Sequence, residues 1–212
     1  MKEWLCHSFY MTKFGENLNN DVAKISLSLP KGSKILDLGC GVGGNSLYLS
    51  GRGFNVTCVD KISEFISEIK QKDQKINAIN KNLIDFELAE NKYDLILAIN
   101  VLQFFNLSEA KILFKKIINS LKEEGVLYLE ILSVDDSFYE KSLGRGGSAE
   151  DDSQVVFNKK INSNIRFYKK EELLNILSDY KILDFKHEEV WEEHEPFGRH
   201  KHASYIVTAK KH

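Results

Sequence analysis

Two prolines, three cysteines and two methionines are all that this 212-residue chain holds of those types. So little cysteine rules out a disulfide scaffold. Cys6, Cys40 and Cys58 form no C-x-x-C pair and none of the usual zinc spacings. Cys40 and Cys58 sit in or beside strand-like apolar runs, where a reduced, buried thiol is the ordinary state, so a cytoplasmic location is expected. No stretch reaches ~18 apolar residues, and the opening MKEWLCHSFYMTKFGENL has no long apolar core, which argues against export and membrane spanning. An excess of charge of one sign is missing too. The 29 Lys and Arg and 31 Asp and Glu are scattered, leaving a formal charge of −2 and no basic stripe for a nucleic-acid backbone. Repeats and low-complexity tracts are absent. What remains is one soluble domain, monomeric or homodimeric, with a small-molecule partner.

What is present is alternation. SKILDLGC reads as a strand and GGNSLYLSGRG as a helix closed by Gly51 and Gly53. FNVTCVD is a second strand, and Ile62, Phe65, Ile66 and Ile69 then recur at helical spacing. INAINKNLIDF is a poorer third strand. YDLILAINVL is a near-continuous apolar run, as in a strand covered on both faces. SEAKILFKKIINSLK predicts an amphipathic helix capped by Ser108, and GVLYLEILSV a fifth strand. Repeated strand–helix units predict an α/β, doubly wound, mostly parallel sheet with helices on both faces. YKKEELLNILSDY resumes the helical pattern, and YKILDFKHEEVW and HASYIVTAKK, joined by EEHEPFGR, predict an antiparallel hairpin at the sheet edge. Residues 1–32 read as a helical lead-in. The polar, glycine-containing stretch 135–166 reads as a lid-like insertion or mobile loop.

The turn after the first strand, ILDLGCGVGGNS, carries the chemistry. Gly39, Gly41 and Gly44 match G-x-G-x-x-G, a spacing compatible with NAD, FAD or S-adenosyl-L-methionine. Asp37 separates these ligands: a fixed carboxylate repels a pyrophosphate, whereas it favours the ammonium and sulfonium of S-adenosyl-L-methionine. A competing role for Asp37 is bonding the N–H groups of its own turn. Asp60 ends the second strand, 21 residues after Gly39, where a carboxylate accepts both ribose hydroxyls.

LDLGCG followed by NSLYL, then VTCVD, resembles class I S-adenosyl-L-methionine-dependent methyltransferases. The resemblance is closer to their tellurite-resistance branch, in which the G-C-G turn leads into a helix beginning Asn-Ser-Leu-Tyr-Leu. FYMTKFGENLN is similar to the aromatic lead-in of that branch. The likeness runs from about residue 9 to the end and is most specific over residues 35–60. It implies a seven-stranded, Rossmann-like methyltransferase fold. It implies backbone contacts from Gly39, Cys40 and Gly41 to the methionine part of the cofactor, with Asn45 opening the following helix. Asp60 would take the ribose, Lys61 and Ile62 would flank the adenine, and Asn82 would bond its amino group with Leu83 following. Asn100 would line the methyl-donor end, with Phe104 or Phe105 closing the pocket or simply packing in the core. S-adenosyl-L-homocysteine would be the product.

The acceptor site is less sharply marked. In the tellurite-resistance branch a His and Arg residues from the last hairpin act at the active site, and His194 and Arg199 are similar to them, although Glu195 stands where an Arg follows the His. His200 is a further pocket candidate. His200 and His202, two apart, share a strand face and with His194 could ligate a metal. No cysteine or helical H-x-x-x-H supports that, and no metal site is assigned. His202 and His187 read as surface histidines. In the insertion, Arg145, Lys159, Lys160 and Arg166 mix with Asp151 and Asp152, and Tyr10 and Phe14 are candidate covers for the site. The expected activity is methyl transfer to a small acceptor, such as tellurite, selenite or a thiol. The alternatives are a non-catalytic cofactor-binding module and an NAD-dependent oxidoreductase.

Overall fold

The computed structural model describes residues 18–143, 154–159, 162–194 and 198–211. Along the chain run α1 (Asn20–Ser26), β1 (Lys34–Leu38), α2 (Gly44–Gly51), β2 (Asn55–Asp60), α3 (Ser63–Lys72), β3 (Asn77–Asn80) and β4 (Tyr93–Ile99). A 3-10 turn (Leu102–Phe104) leads to α4 (Leu107–Ser120), β5 (Leu121–Leu132), α5 (Ser137–Leu143), β6 (Val155–Asn158) and β7 (Ser163–Arg166). The chain finishes with α6 (Lys170–Ile176), β8 (Tyr180–His194) and β9 (Gly198–Lys211). Seven strands form one sheet in the order β3-β2-β1-β4-β5-β9-β8, and β6 and β7 form a separate hairpin. The pairings from β3 through β5 are parallel; β9 runs antiparallel to both β5 and β8. The expected doubly wound sheet with its antiparallel edge hairpin is therefore the observed one. The order reverses between β1 and β4, which opens a crevice at their carboxyl ends.

Two-residue periodicity divides the apolar runs between two cores. Leu36, Leu38, Ile96, Ala98, Leu127 and Leu129 face α4 and α6, meeting Leu113, Phe114, Ile117 and Leu173. Ile35, Val56, Cys58, Leu95, Leu97 and Tyr128 face the other way, against Val22, Leu49, Ile66 and Ile69 of α1, α2 and α3. This is why YDLILAINVL reads as unbroken apolar: both of its faces are covered. The buried Asp37 falls on the second face, where α2 lies above it.

Several local expectations are corrected. Asn106, rather than Ser108, caps α4: its side chain accepts the Glu109 N–H while Glu109 accepts the Asn106 N–H, a reciprocal capping box. Ser108 instead donates its hydroxyl to Asn106. The poorer strand expected over INAINKNLIDF is shorter than that run: β3 ends at Asn80, and residues 81–92 carry turns, one of them closed by the Asp85 N–H on the Asn82 carbonyl. The insertion is only partly loop-like. α5 and the β6–β7 hairpin pack a third core of Leu132, Tyr139, Ile165 and Phe167, and the Tyr168 N–H binds the Leu132 carbonyl at 2.9 Å. Arg166 is buried in an ion pair with Glu172, its guanidinium 4.8 Å from the Tyr168 ring centroid. Tyr10, Phe14, Cys6, Arg145, Asp151, Asp152 and Lys160 lie outside the described residues.

Candidate cofactor site at the switch point

The glycine turn uses its own N–H groups. Those of Gly39 and Cys40 bond the Val59 carbonyl at 2.8 and 3.2 Å, and that of Gly43 bonds the Cys40 carbonyl at 3.0 Å. The Gly41 N–H goes to Asp60 Oδ2 at 3.0 Å. Gly39, Gly41 and Gly43 all have positive φ. A Cβ on Gly39 would collide with the Val101 side chain, and one on Gly43 would sit 2.6 Å from Ile69 Cγ1. The glycines are thus required by left-handed backbone and by close packing against the neighbouring strand end and helix.

Asp60 closes β2 with one oxygen on Gly41 and the other, Oδ1, on the Ile62 N–H at 2.9 Å. Each oxygen has a second lone pair, so the carboxylate can still accept hydroxyl groups from the partly exposed side. Asp37 is 3% exposed, and the Ser46 hydroxyl donates to its Oδ2 at 2.6 Å. Burial pushes its carboxyl up to about 6; the Ser46 bond pulls it down, and the negative charge of Asp60 adds to the rise. The turn bonding first considered for Asp37 belongs to Asp60 instead. Asp37 acts on the turn from beneath, through its field. Two carboxylates and a turn whose Gly39, Cys40, Gly41 and Gly43 N–H groups are already engaged do not fit a pyrophosphate. They fit an adenosine ligand that carries positive charge and no phosphate.

The other anticipated residues distribute around this centre. Asn45 opens α2, buried, and its Oδ1 accepts the Asn19 N–H at 2.9 Å. Lys61 and Ile62 follow Asp60 at the surface, and Ile62 is an exposed apolar side chain beside an acidic one. Asn82 is exposed and accepts the Ile84 N–H at 3.3 Å. Leu83 is buried in the first core, so only its backbone can face a ligand. Asn100 has φ 51 just past β4 and binds the Glu130 carbonyl at 2.9 Å through its N–H. Cys40 is buried, and both hydrogen bonding to Cys58 and burial push its thiol well above the usual range, so it is an inert thiol. Phe104 packs toward the third core and Phe105 toward the first.

Sequence reasoning missed Glu130. It accepts hydrogen bonds from the Tyr128 hydroxyl at 2.8 Å, from Asn19 Nδ2, and from Asn100 Nδ2 at 3.4 Å. Burial and the Glu130 charge push the Tyr128 phenol up. This network joins α1, β4 and β5 beside the turn. Its signal in the sequence was a lone acid inside the apolar run VLYLEIL. Gln103 was missed as well: it is 1% exposed, and among the described residues neither its Oε1 nor its Nε2 has a hydrogen-bond partner.

At the edge hairpin the candidates separate. Arg199 stacks 4.6 Å over the exposed Trp191 ring, and alternation along β9 sets it on the sheet face opposite His200 and His202. The rings of His200 and His202 meet edge to face at 4.7 Å. His202 is buried, not a surface residue, and its Nδ1 lies 3.3 Å from Asp136 Oδ2. His187 is the partly exposed one, 3.3 Å from Asp135. His194 pairs with Gly198 in the strand register. The described residues hold no cluster of three or more metal-ligating side chains, and no helix among them is long and apolar enough to cross a membrane. A groove of about 550 Å3 lined by Phe114, Ile118 and Tyr180 lies on the α4–α6 side, away from these strand ends.

Residues 2–137 match the family model described as "Tellurite resistance protein TehB". The chain belongs to the TehB family. It is 35% identical over 107 residues to "Probable S-adenosyl-L-methionine-dependent methyltransferase TehB" of Haemophilus influenzae, covering 49% of this chain and 37% of that protein. The chain spans about half or less of the length of the curated relatives it matches. The TehB crystal structure from Haemophilus influenzae superposes with a TM-score of 0.70 at 22% identity, over 92% of this chain and 63% of that one. A Methanosarcina mazei structure described as a SAM-dependent methyltransferase gives 0.75 at 20% identity, over 92% and 98%. These structural likenesses establish the class I methyltransferase fold, and the family match establishes the TehB branch.

Proposed function

We propose that this TehB-family chain binds S-adenosyl-L-methionine across the carboxyl ends of β1, β2 and β4 and transfers its methyl group to a small-molecule acceptor. The observation that carries the reading is the self-bonded glycine turn between two carboxylates, Asp37 below it and Asp60 beside it. When bound, the cofactor supplies an electrophilic methyl group on a sulfonium. Asp60 would accept the ribose hydroxyls with its remaining lone pairs, Lys61 and Ile62 would flank the adenine, and Asn82 would accept from its amino group. Gly39, Cys40 and Gly41 would present backbone to the methionine part, supported by Asn45, with Asn100 beside the methyl-donor end. The buried negative charge of Asp37 favours a cationic ligand over a neutral one. Methyl displacement needs proximity, alignment and exclusion of water more than it needs acid–base chemistry.

For the acceptor, the family description and the hairpin residues favour a soft nucleophile such as tellurite, selenite or a thiol. His194, Arg199 and His200 are the candidate contacts; Arg199 stacks on Trp191 on the sheet face opposite His200, so it would have to leave that stack to meet the same acceptor. A cytoplasmic location accords with the free, buried thiols of Cys40 and Cys58. Calorimetric titration with S-adenosyl-L-methionine, S-adenosyl-L-homocysteine and NAD tests the cofactor: the first two bind and NAD does not. Binding of NAD alone would overturn the reading. Methyl release from labelled cofactor against tellurite, selenite, thiols and small amines tests the transfer, and binding without release to any of them would leave a binding module.

A further inference from the structure

Glu130 stands half-buried near the carboxyl end of β5, and its side chain is tied to three others. Its Oε1 accepts the Tyr128 hydroxyl at 2.8 Å and the Asn19 carboxamide, and its Oε2 accepts Asn100 Nδ2 at 3.4 Å. These three donors are neutral, so they hold the carboxylate in place without discharging it. Burial, and after it the negative charge of Glu130, push the Tyr128 phenol up, which keeps that hydroxyl a donor. Asn19 continues the chain of bonds. Its N–H reaches Asn45 Oδ1 at 2.9 Å, at the start of α2 beside the glycine turn.

Strand register sets this residue level with the turn. Asp37 pairs with Leu97 and Leu97 with Tyr128, and the last two share the second core. Gly39 follows Asp37 by two residues, as Glu130 follows Tyr128. The two therefore lie side by side with β4 between them, about 10 Å apart in the sheet. Ile99 fills the place between, paired with Glu130, and Asn100 comes next. Asn100 has left-handed backbone at φ 51, and its N–H binds the Glu130 carbonyl at 2.9 Å. Asn tolerates that conformation, and Glu130 fixes it twice, through its carbonyl and its carboxylate. The residue assigned to the methyl-donor end thus has a carboxylate as its bonded neighbour.

We propose that Glu130 is a specificity-determining residue of the cofactor site, whose charge favours the sulfonium of S-adenosyl-L-methionine over the neutral thioether of S-adenosyl-L-homocysteine. This rests on the methyl-transfer reading, which sets the sulfonium beside Asn100. The two ligands differ there by one methyl group and one positive charge. Their amino-acid ends are the same zwitterion, on which a single outlying charge acts weakly. Asp37 and Asp60 act on both ligands in wild type and variant alike, so what Glu130 adds is read in the difference. At the effective dielectric of partly buried groups, one neighbouring charge changes an equilibrium constant by about tenfold. Spent product would then give way to fresh cofactor without any movement of the turn.

Calorimetric titration of the full chain with each ligand tests this. Glu130→Gln keeps an oxygen for Tyr128 and Asn19, and Asn100 can turn its amide over to meet the new donor. The variant is expected to bind S-adenosyl-L-methionine about tenfold more weakly, with S-adenosyl-L-homocysteine within about twofold of wild type. Tyr128→Phe loosens the network but keeps the charge, and it is expected to leave the ratio of the two affinities unchanged. Equal losses for both ligands in Glu130→Gln, or no loss for either, would overturn the proposal and leave the parent reading standing. Failure of the wild-type protein to bind either ligand sinks the parent reading and this inference with it. Should Glu130→Gln fail to fold, the wild-type protein answers alone, because the linkage is reciprocal. In side-chain carboxyl 13C spectra, Glu130 is expected to titrate about one pH unit lower with S-adenosyl-L-methionine bound than with S-adenosyl-L-homocysteine bound. Coincident titrations would overturn the proposal.

Discussion

The Asp60 carboxylate reaches from the end of β2 to the glycine turn and accepts the Gly41 N–H at 3.0 Å. One side chain thereby shapes the turn and faces the position proposed for the ribose. Asp60→Ala removes both contacts, and the affinity for S-adenosyl-L-methionine is expected to fall about 100-fold by calorimetry. Asp60→Asn keeps the shape but loses the charge and one of the two acceptors of the Gly41 and Ile62 N–H groups, with an expected fall of about tenfold or more. A retained wild-type affinity in Asp60→Ala would remove this residue from the cofactor site.

Asp37 makes stability depend on pH in an unusual direction for a carboxylate. Its pKa rises from 3.8 to about 6 on folding, so the folded protein holds the proton more tightly than the unfolded chain. Below pH 3.8 both states are protonated and the group costs nothing; stability is lost as pH rises toward 6, by about 3 kcal/mol. Asp37→Asn is therefore expected to raise the melting temperature above pH 6, by several degrees. The gain vanishes near pH 4, and the cofactor binds less well at every pH where Asp37 is charged. Thermal scans from pH 4 to 8 with parallel calorimetry check both signs.

Gly39 is confined by φ 65 and by the Val101 side chain. Gly39→Ala is expected to cost at least 2 kcal/mol, from left-handed strain of about 1–2 kcal/mol plus the clash. Adding Val101→Ala removes the clash and leaves the strain, so the double variant should recover only part of the loss in denaturant unfolding. Full recovery would show that backbone conformation matters little there.

Gln103 keeps a carboxamide buried at a cost. Replacing it by Leu, which asks for no hydrogen bond, is expected to stabilise the fold by about 1–2 kcal/mol. Cofactor affinity should stay within about twofold. A destabilised Gln103→Leu would mean that the amide has a structural partner.

The fold was legible because its signals were local and repeated. The short apolar runs KILDL, NVTCV and DLILAI, separated by helical patterns, and the glycines of the first turn follow from backbone geometry and burial alone. Cofactor residues were legible where chemistry is tied to a strand end, as at Asp37 and Asp60. What escaped depends on neighbours distant in the chain. Glu130 matters because Asn19 lies 111 residues earlier and yet sits beside it. His202 looked like a surface histidine because nothing in HKHAS announces that Asp136, 66 residues away, closes over it. The 135–166 stretch looked loop-like because its short apolar pieces, VVF and IRFY, are too brief for periodicity and are buried only once α5 and the hairpin come together.

The turn between β1 and α2 completes its hydrogen bonding with groups of the same chain, Val59, Cys40 and Asp60. It is preorganised. Folding has already met the entropy cost of ordering it, so little of a ligand's binding energy is diverted to shaping the loop. Entry of the cofactor should leave the amide exchange of Gly39 to Gly43 nearly as slow as before, with new protection confined to the groups that cover it.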